Sequence, residues 1–378
     1  MSIIQVLAKW KLFLKKQVNI FEFGSHFHVI PPWLEIYKSH KNTIFIPKEL
    51  NSDLLSILDS YNTSAELIDM RRVFWNILRY VFKFFKKYSI IVVSTAREFL
   101  LTKVEFVNIL ILILVKPDIV CIRNPNAWFI SKDNFGHQSF LRNFNSLVSI
   151  FLRQGLAKRA TFIVCESQSQ TKYIESKLKG RNTKNCFSFP GRLIDVKPKI
   201  ESDLCSLKKE GKLIVGVLGS ISERKKDYEI ILKSIDDIQP DLRPMFVFLG
   251  SKVLKNSYSI IDRFKDVSEV LYPVGTTISE IDFYSYGQIC DVLISPLRTE
   301  INYGSKFGTG SLADGIALQK LIIFPESIEI DESLNQMLIR FKNVTQLKNI
   351  FLLGKNEFAH KLNLYHWTVK EMQKMLKV

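Results

Sequence analysis

Residues 213–228 read LIVGVLGSISERKKDY, and this stretch decides the fold. Residues 213–218 are apolar apart from one glycine and predict a buried strand that ends at Gly219. A basic cluster then opens a helical pattern over 226–238. Cations at the start of a helix oppose its dipole, so we expect an anion to bind beside them. A solvated run of charges is the alternative interpretation.

The same alternation of short apolar runs and helical patterns continues on both sides of this stretch, and it is typical of parallel-sheet α/β units. Periodicity is lost between Phe189 and Lys212, which we interpret as a linker. We therefore expect two doubly wound α/β domains, 1–195 and 211–355, with a ligand cleft between them. The predicted strands are 18–23, 43–46, 90–94, 118–122 and 160–165 in the first domain and 213–218, 245–249, 270–272, 292–295 and 321–324 in the second.

A second motif lies between Asp291 and Gly315, where a strand ends in a polar loop and a helix begins among small residues. Small residues let backbone N–H groups approach a diphosphate, and Lys306 can neutralise it. Asp314, one turn into the helix, would accept hydrogen bonds from ribose hydroxyls. A glycine-rich connection to a capped helix is the alternative, but these residue types within nine positions favour nucleotide binding. The predicted binding residues are Lys306, Gly308, Thr309, Gly310, Ser311 and Asp314.

On these two motifs, the C-terminal half resembles the donor-binding domain of GT-B glycosyltransferases, of the large bacterial family that builds lipopolysaccharide, capsule and exopolysaccharide. The family pattern of strand, glycine, basic residue and, five positions later, lysine falls on Gly219, Ser220 and Lys225. The family's ribose carboxylate falls on Asp314. The resemblance implies two Rossmann-like domains that face a central cleft, with the donor nucleotide on the second.

The C-terminal segment matches the family pattern, whereas the diphosphate region departs from it at one position. Tyr365-His366-Trp367 is similar to the aromatic motif that starts the family's last helix, so 356–378 is expected to cross back to the N-terminal domain. Where relatives have an arginine this chain has Ser220, which leaves Arg224 or Lys225 to neutralise the diphosphate. The leaving nucleoside diphosphate gains negative charge in the transition state, so a lysine there suits the reaction.

A paired-glutamate signature of many relatives is absent from this chain. Lys306 stands where they have one glutamate, and Glu300 is either an offset substitute for it or an ordinary loop acid. With Lys225, Glu300 is a candidate catalytic residue of the second domain. Whether the reaction retains or inverts the sugar's configuration stays open.

In the N-terminal half, the resemblance implies a glycine loop after the first strand, close to the donor phosphate and the acceptor. Gly24 stands there, followed by His26 and His28, and His137 belongs to a later loop that would face the same cleft. An inverting reaction needs a base for the acceptor hydroxyl, and His26, His137 and Asp133 are the candidates. A loop histidine is more often structural, so these catalytic assignments stay open.

The net charge of +16 lies entirely in the N-terminal half, which indicates an anionic partner. Residues 1–200 contain 30 basic and 14 acidic side chains, whereas 201–378 contain 23 of each. The segment 71–88, RRVFWNILRYVFKFFKKY, places cations on one helix face and aromatics on the other, and 9–16 is a second basic aromatic segment. Such segments fit interfacial binding to an anionic membrane, although packing of an apolar helix face on the sheet is an equal alternative.

Cysteine usage and the length of the apolar runs predict a cytoplasmic protein without a membrane-spanning helix. The five cysteines are scattered and never spaced as CxxC, which indicates reduced thiols and no zinc site. The longest apolar run, 109–115, is far shorter than the roughly 20 residues that span a bilayer. We expect no cofactor and no essential metal, because no DxD-type carboxylate pair is present and lysines can neutralise the diphosphate.

The sequence therefore predicts a glycosyltransferase on the inner face of the cytoplasmic membrane, with a nucleotide sugar as donor and a lipid-linked or growing saccharide as acceptor. Two alternatives stay open. Nucleotide-sugar 2-epimerases share two such domains, but their soluble substrates leave the basic aromatic half without a role. A nucleic-acid-binding protein fits the electrostatics, yet no RNP, zinc-finger or helix-turn-helix pattern is evident, so we expect no nucleic-acid partner.

Overall fold

The structure, a computed structural model, describes residues 17–23, 29–46, 54–55, 58, 65–69, 89–95, 103–129, 140–178, 186–188, 211–250, 257–272, 278–298, 300, 309–328, 330, 332–359 and 373. Contacts divide the chain into two compact units. The first comprises Met1–Leu193, Ser305–Gly308 and His366–Val378, and the second comprises Ile194–Gly304 and Thr309–Tyr365. The predicted linker lies, up to residue 210, outside the described residues, and the predicted domain boundaries stay predictions.

The first unit contains a seven-stranded parallel sheet with the order β3-β2-β1-β4-β5-β6-β7. β1 is the third strand in this order and pairs with β2 on one side and β4 on the other, which places Val18 opposite Asn42 and Ile90. Strands β5 and β6 are buried throughout, as expected where helices cover both faces of a parallel sheet. The strands are β1 Gln17–Glu22, β2 Lys41–Ile46, β3 Glu66–Asp69, β4 Ser89–Thr95, β5 Ile119–Ile122, β6 Phe162–Cys165 and β7 Cys186–Ser188.

The helices of the first unit connect these strands. They are α1 Ile30–Ile36, α2 Lys103–Val115, α3 Pro125–Trp128, α4 Phe140–Arg159 and α5 Gln168–Leu178. α2 and α4 join consecutive neighbouring strands and pack on each other. Near the C-terminus, Gln373 Nε2 donates a hydrogen bond to Ile36 O at 3.0 Å, and both residues belong to the first unit.

The second unit contains a six-stranded parallel sheet with the order β10-β9-β8-β11-β12-β13. Because the strand order reverses at β8, the carboxyl ends of β8 and β11 lie side by side at a topological switch point, where open α/β sheets bind ligands. The strands are β8 Ile214–Leu218, β9 Met245–Leu249, β10 Val270–Leu271, β11 Val292–Ile294, β12 Ile322–Pro325 and β13 Leu338–Phe341. The helices are α6 Tyr228–Asp236, α7 Ser257–Lys265, α8 Glu280–Ile289, α9 Gly310–Leu318 and α10 Val344–Leu352.

The core of the second unit is packed closely around β8 and β9. A Cβ on Gly216 would come within 2.6 Å of the Leu293 side chain and within 2.9 Å of Cys290 Sγ, so only glycine fits the centre of β8. On the other face, Phe264 of α7 meets Phe246 and Phe248 edge-on, with ring centroids 5.1 and 5.2 Å apart. This packing fixes the strand ends that carry the candidate site.

The two parallel sheets confirm the predicted fold class of two doubly wound α/β units. The predicted helix over 226–238 begins later, at Tyr228, because Asp227 is its N-cap and accepts a hydrogen bond from Ile230 N at 3.3 Å. The basic cluster therefore lies in the loop before the helix. Elements that the sequence analysis did not predict are α1, β3, α2, α3, α4, β7, β13 and α10. In the described part of the chain, the structure contains no helix with the length and apolar character needed to cross a bilayer.

Candidate nucleotide site on the second unit

The strand β8 ends in a tight turn at Gly219, whose φ of +73° lies in the left-handed region that favours glycine. Gly250, at the end of the neighbouring β9, packs directly on this turn, and a Cβ on Gly250 would overlap Gly219 O. The two glycines thus let the ends of β8 and β9 lie in backbone contact. Ser220 follows the turn and is half-buried.

Lys226 is buried against this turn, with only 3% of its surface exposed. Its ammonium group donates hydrogen bonds to Leu218 O and Gly219 O, the second at 2.7 Å. Burial lowers the pKa of Lys226 to about 7, while the carboxylate of Asp314 raises that pKa and the ammonium of Lys225 lowers it. An anion bound beside Lys226 would stabilise its charged form.

A short antiparallel bridge pairs Lys226 with Leu297 and joins the loop after β8 to the loop after β11. Asp227 N donates to Pro296 O at 2.7 Å, and Arg298 N donates to Lys225 O at 3.1 Å. The Arg298 side chain adds a third hydrogen bond, from Nε to Glu223 O at 2.7 Å. Lys226 is buried against the Gly219 turn, whereas its neighbour Lys225 is exposed.

Helix α9 begins beside this bridge, at the end of β11. Thr309 is its N-cap, and the Thr309 hydroxyl accepts a hydrogen bond from Ser311 N at 3.3 Å. The buried hydroxyls of Ser311 and Ser295 lie 2.7 Å apart and tie the helix to the strand end. Gly310 is exposed, and a Cβ there would meet no atom of the described residues within 4 Å. The positive end of the α9 dipole thus has open space beside it.

Asp314 lies one turn into α9, buried and near enough to Lys226 to affect its pKa. The next residue, Gly315, packs on β12 so closely that a Cβ would overlap the Ile322 side chain. This contact fixes the helix, and with it the Asp314 carboxylate, against the sheet. A buried ammonium, a buried carboxylate and an open helix start are therefore gathered at the carboxyl ends of β8 and β11.

The structure describes nine of the fourteen site residues that the sequence predicts. Arg224, Lys225 and Glu300 are exposed in the loops after β8 and β11. The other six, Gly219, Ser220, Thr309, Gly310, Ser311 and Asp314, belong to the turn after β8 and to α9 with its N-cap. Outside the described residues are Gly24, His26, His137, Lys306 and Gly308, the segments 9–16 and 71–88, and Tyr365-His366-Trp367, and these assignments stay predictions.

Three residues of this region were missed by the sequence analysis: Lys226, Ser295 and Arg298. Lys226 was included in the predicted helix, and no local pattern separates it from Lys225. The available signal was Asp227, a good N-cap residue, which would have placed Lys226 in the loop. Ser295 and Arg298 follow β11 directly, where the carboxyl end of a parallel strand presents polar groups to a ligand.

A cavity of about 430 Å³ opens beside the bridge, and Asp227 is part of its lining. Arg298 and Glu300 line it from the loop after β11, and Glu326 and Lys342 line it from the ends of β12 and β13. Lys342 Nζ and Glu326 Oε2 form an ion pair at 3.2 Å. The cavity thus combines charges of both signs with apolar walls.

The first unit also carries polar residues at the carboxyl edge of its sheet. Glu22 is fully buried at the end of β1, and the Ser94 hydroxyl at the end of β4 donates to its carboxylate. After β5 and β6, Arg123 and Glu166 form a largely buried ion pair at 2.5 Å. Glu22 and Ser94 lie at the switch point of the first sheet, between β1 and β4.

The described residues contain no group of three His, Cys, Asp or Glu side chains that could hold a metal ion. Three cysteines in this part of the chain, Cys121, Cys165 and Cys290, are buried. The expectation that no metal is needed stays a prediction.

No protein-family model matches this sequence, and no curated protein matches it. Solved structures do match it. Anabaena Alr3699/HepE, determined in complex with UDP and glucose, has a TM-score of 0.62 at 12% identity, over 96% of this chain and 98% of that one. A UDP-N-acetylglucosamine 2-epimerase, so named provisionally, from Listeria monocytogenes has a TM-score of 0.61 at 10% identity, over 96% of each chain. S. aureus MnaA, determined with UDP, has a TM-score of 0.58 at 12% identity, over 96% of this chain and 97% of that one.

At identities of 10–12% this likeness concerns the fold. It spans nearly the whole chain, so it includes both parallel sheets and not one nucleotide-binding domain alone. The chain therefore has the GT-B-like architecture of two Rossmann-like domains that its sequence predicted.

Proposed function

We propose that this protein is a glycosyltransferase of cell-surface polysaccharide biosynthesis. It would transfer a sugar from a nucleotide-sugar donor to a lipid-linked or growing saccharide at the cytoplasmic face of an anionic membrane. The observation that carries the proposal is the placement of Lys226, a buried ammonium between the Gly219 turn and the Asp314 carboxylate at a switch point of the sheet. Burial of a charged lysine is unfavourable because the ammonium loses its hydration, and binding of a diphosphate would account for a lysine at this position.

In the proposed complex, the donor diphosphate lies between the Gly219 turn and the start of α9. Backbone N–H groups at Gly310 and Ser311 bind its oxygens, since the helix start is positive and open. Lys226 supplies the full positive charge, and Asp314 accepts hydrogen bonds from the ribose hydroxyls. Arg224 and Lys225 are exposed on the same loop and add to the positive field that attracts the donor.

The chemical step breaks the bond between the sugar and the diphosphate, and the negative charge on the leaving group grows. A preorganised ammonium in a buried position stabilises that charge without reorganisation, which is the usual way such groups lower a barrier. Lys226 replaces Lys225 in this role, because Lys226 is buried against the turn and Lys225 is exposed. Our candidates for the base that activates the acceptor hydroxyl remain His26 and His137, and Glu300 remains a candidate at the sugar.

The first test is nucleotide binding. Thermal shifts with UDP-, GDP-, dTDP- and CMP-sugars should identify one nucleotide that stabilises the protein, by about 2.7 kcal/mol at 100 times its dissociation constant. UDP is the first choice, because two of the similar structures were determined with it. The proposal fails if no nucleotide sugar binds and none is hydrolysed.

The matched variants are Lys226→Met and Lys225→Met, which remove the same charge from neighbouring positions. Loss of a charge-assisted hydrogen bond to phosphate costs about 1.5–3 kcal/mol, so Lys226→Met should bind the donor about ten- to a hundredfold more weakly. The exposed Lys225 should change affinity by a few-fold only. Equal effects of the two variants would mean that Lys226 has no special role at the diphosphate.

A second candidate function is nucleotide-sugar 2-epimerisation, because one of the similar structures is a UDP-N-acetylglucosamine 2-epimerase, so named provisionally. The two reactions differ in what they need. An epimerase converts the nucleotide sugar with no acceptor present, whereas a transferase leaves the sugar configuration of unreacted donor unchanged. Proton NMR of UDP-N-acetylglucosamine incubated with the protein alone distinguishes them, and appearance of the 2-epimer would replace our proposal.

A further inference from the structure

The outward face of α2 is apolar, the reverse of an ordinary surface helix. Its sequence is KVEFVNILILILV, and the polar Glu105 and Asn108 are buried. Leu110 and Leu114, by contrast, are 38% and 69% exposed. The remaining partly exposed positions are also apolar: Phe106, Val107, Ile111, Ile113 and Val115. Single exposed apolar residues are common on proteins, but a helix whose whole outer face is apolar calls for a partner.

Helix α4 extends this face. A Cβ on its Gly155 would come within 3.1 Å of Ile113 Cδ1, so the two helices lie side by side at this level. Both helices join parallel strands in the same direction, so Phe151, one turn before Gly155, comes level with the turn of α2 that holds Leu110. Phe151 is 61% exposed. We define the apolar face as Leu110, Leu114 and Phe151.

Cations border the apolar face at the carboxyl ends of both helices. Arg159 Nε donates to Ile113 O at 3.3 Å, which places this guanidinium next to Leu114. Lys116, directly after α2, and Lys158 are exposed as well. No acidic residue occurs in α4, and the one in α2, Glu105, is buried. The rim of the apolar face is therefore positive, and neither helix adds an exposed acidic side chain to it.

We infer that this face docks on an anionic lipid bilayer, with Leu110, Leu114 and Phe151 among the acyl chains and the cations against the headgroups. Apolar side chains ringed by lysine and arginine are what an interfacial helix needs. α2 has 13 residues, or a length of about 20 Å, which is shorter than the roughly 30 Å hydrocarbon core, so it would lie along the interface. The proposed function includes a membrane partner, and this inference identifies the surface that would contact that membrane. It rests on the proposed function only for the identification of the partner as a membrane.

Two other occupants fit less well. A second copy of the chain would bring together two N-terminal halves that each carry the whole net charge of +16. A nucleic acid would satisfy the cations, but it offers no apolar surface to the centre of the face. A bilayer with anionic headgroups matches both the apolar centre and the positive rim.

The test is co-sedimentation of the full chain with phosphatidylcholine vesicles, with and without phosphatidylglycerol. The test variant is L110S/L114S/F151S, and the matched control is L242S/L352S/L353S, which removes three side chains of the second unit that are 47–55% exposed. We expect the test variant to lose at least about tenfold in vesicle partitioning, while the control binds like the wild type. Circular dichroism and donor affinity check that both variants fold.

A charge variant, K116E/K158E/R159E, tests the rim. It should lose the preference for phosphatidylglycerol, and wild-type binding should weaken as salt is added. The inference is overturned if wild type ignores anionic vesicles, if the apolar variant binds them unchanged, if wild type prefers DNA at matched salt, or if wild type is a dimer that L110S/L114S/F151S converts to monomer.

Failure of the proposed function would look different from failure of this inference. Vesicle binding without affinity for any nucleotide sugar would remove the glycosyltransferase proposal and leave the docking face standing. Donor binding without vesicle binding would remove the docking face and leave the proposed nucleotide-sugar chemistry standing.

Discussion

Donor binding should weaken as the pH rises above neutrality, because Lys226 must be protonated to hold a diphosphate. Burial lowers the pKa of Lys226 to about 7, from an ordinary value of 10.5. A bound diphosphate places negative charge beside the ammonium and raises that pKa. Above the pKa of the free protein, the complex therefore takes up a proton that the free protein lacks, and affinity falls as the pH rises.

The magnitude follows from the lowered pKa of the free protein. If only the protonated form binds, affinity falls about 30-fold between about pH 6 and about pH 8.5, which is about 2 kcal/mol. The number of protons taken up per bound donor rises from about 0.1 near pH 6 to about 0.9 near pH 8. A surface lysine, whose pKa stays near its ordinary value, would give neither change in this range.

Isothermal titration calorimetry with a nucleotide sugar measures both quantities. The donor's diphosphate keeps the same charge across this range, and buffers with different ionisation enthalpies report the proton uptake. Lys226→Met should bind more weakly and with no pH dependence, whereas Lys225→Met should keep the wild-type profile. A flat affinity profile in the wild type, or proton uptake that survives in Lys226→Met, would refute the reasoning.

Three further outcomes are expected. Asp314→Asn removes the carboxylate that raises the pKa of Lys226, so the pH at which donor affinity begins to fall should move lower in the same calorimetric titration. Lys226→Met should raise the melting temperature below pH 7, and this gain should shrink toward pH 9. The reason is that a lysine whose pKa is lowered in the folded state destabilises that state while it is charged, and this cost is relieved as the lysine loses its proton. A difference in melting temperature that stays constant with pH would contradict this. Gly315→Ala should lower the free energy of unfolding, measured with denaturant, by about 1–3 kcal/mol, because its Cβ overlaps the Ile322 side chain. Gly310→Ala on the same helix should change that free energy by no more than about 0.5 kcal/mol. It should nevertheless weaken donor binding, since its Cβ points into space that the ligand needs.

Local patterns were sufficient for the strands that form the centre of each sheet. β8 and β9 are continuous apolar runs that end at glycine, and both were predicted within one residue of their observed ends. Helix α2 was missed because it is apolar on the face toward the sheet and on the face away from it, which removes the helical periodicity. β3, a polar edge strand with the sequence ELID, gives no strand signal at all.

At the candidate site, the sequence predicted the features that are determined by one continuous segment of the chain. The small residues from Gly308 to Ser311 predicted the start of a helix with Asp314 one turn into it, and the observed α9 begins at Gly310. The choice between Lys225 and Lys226 depended on a bridge to Leu297, more than seventy positions away. A pairing at that separation leaves no local pattern, so the buried lysine could not be identified from the sequence.

The bridge between Lys226 and Leu297 also fixes the base of the loop that follows β11. Its last hydrogen bonds are made by Arg298, immediately before the polar stretch 299–308. Substitutions at 301–304 remove none of the hydrogen bonds that join the two loops, and they spare Glu300, Lys306 and Gly308. A library randomised at 301–304 is thus a practical route to new sugar preferences, because every member keeps the same groups for the diphosphate.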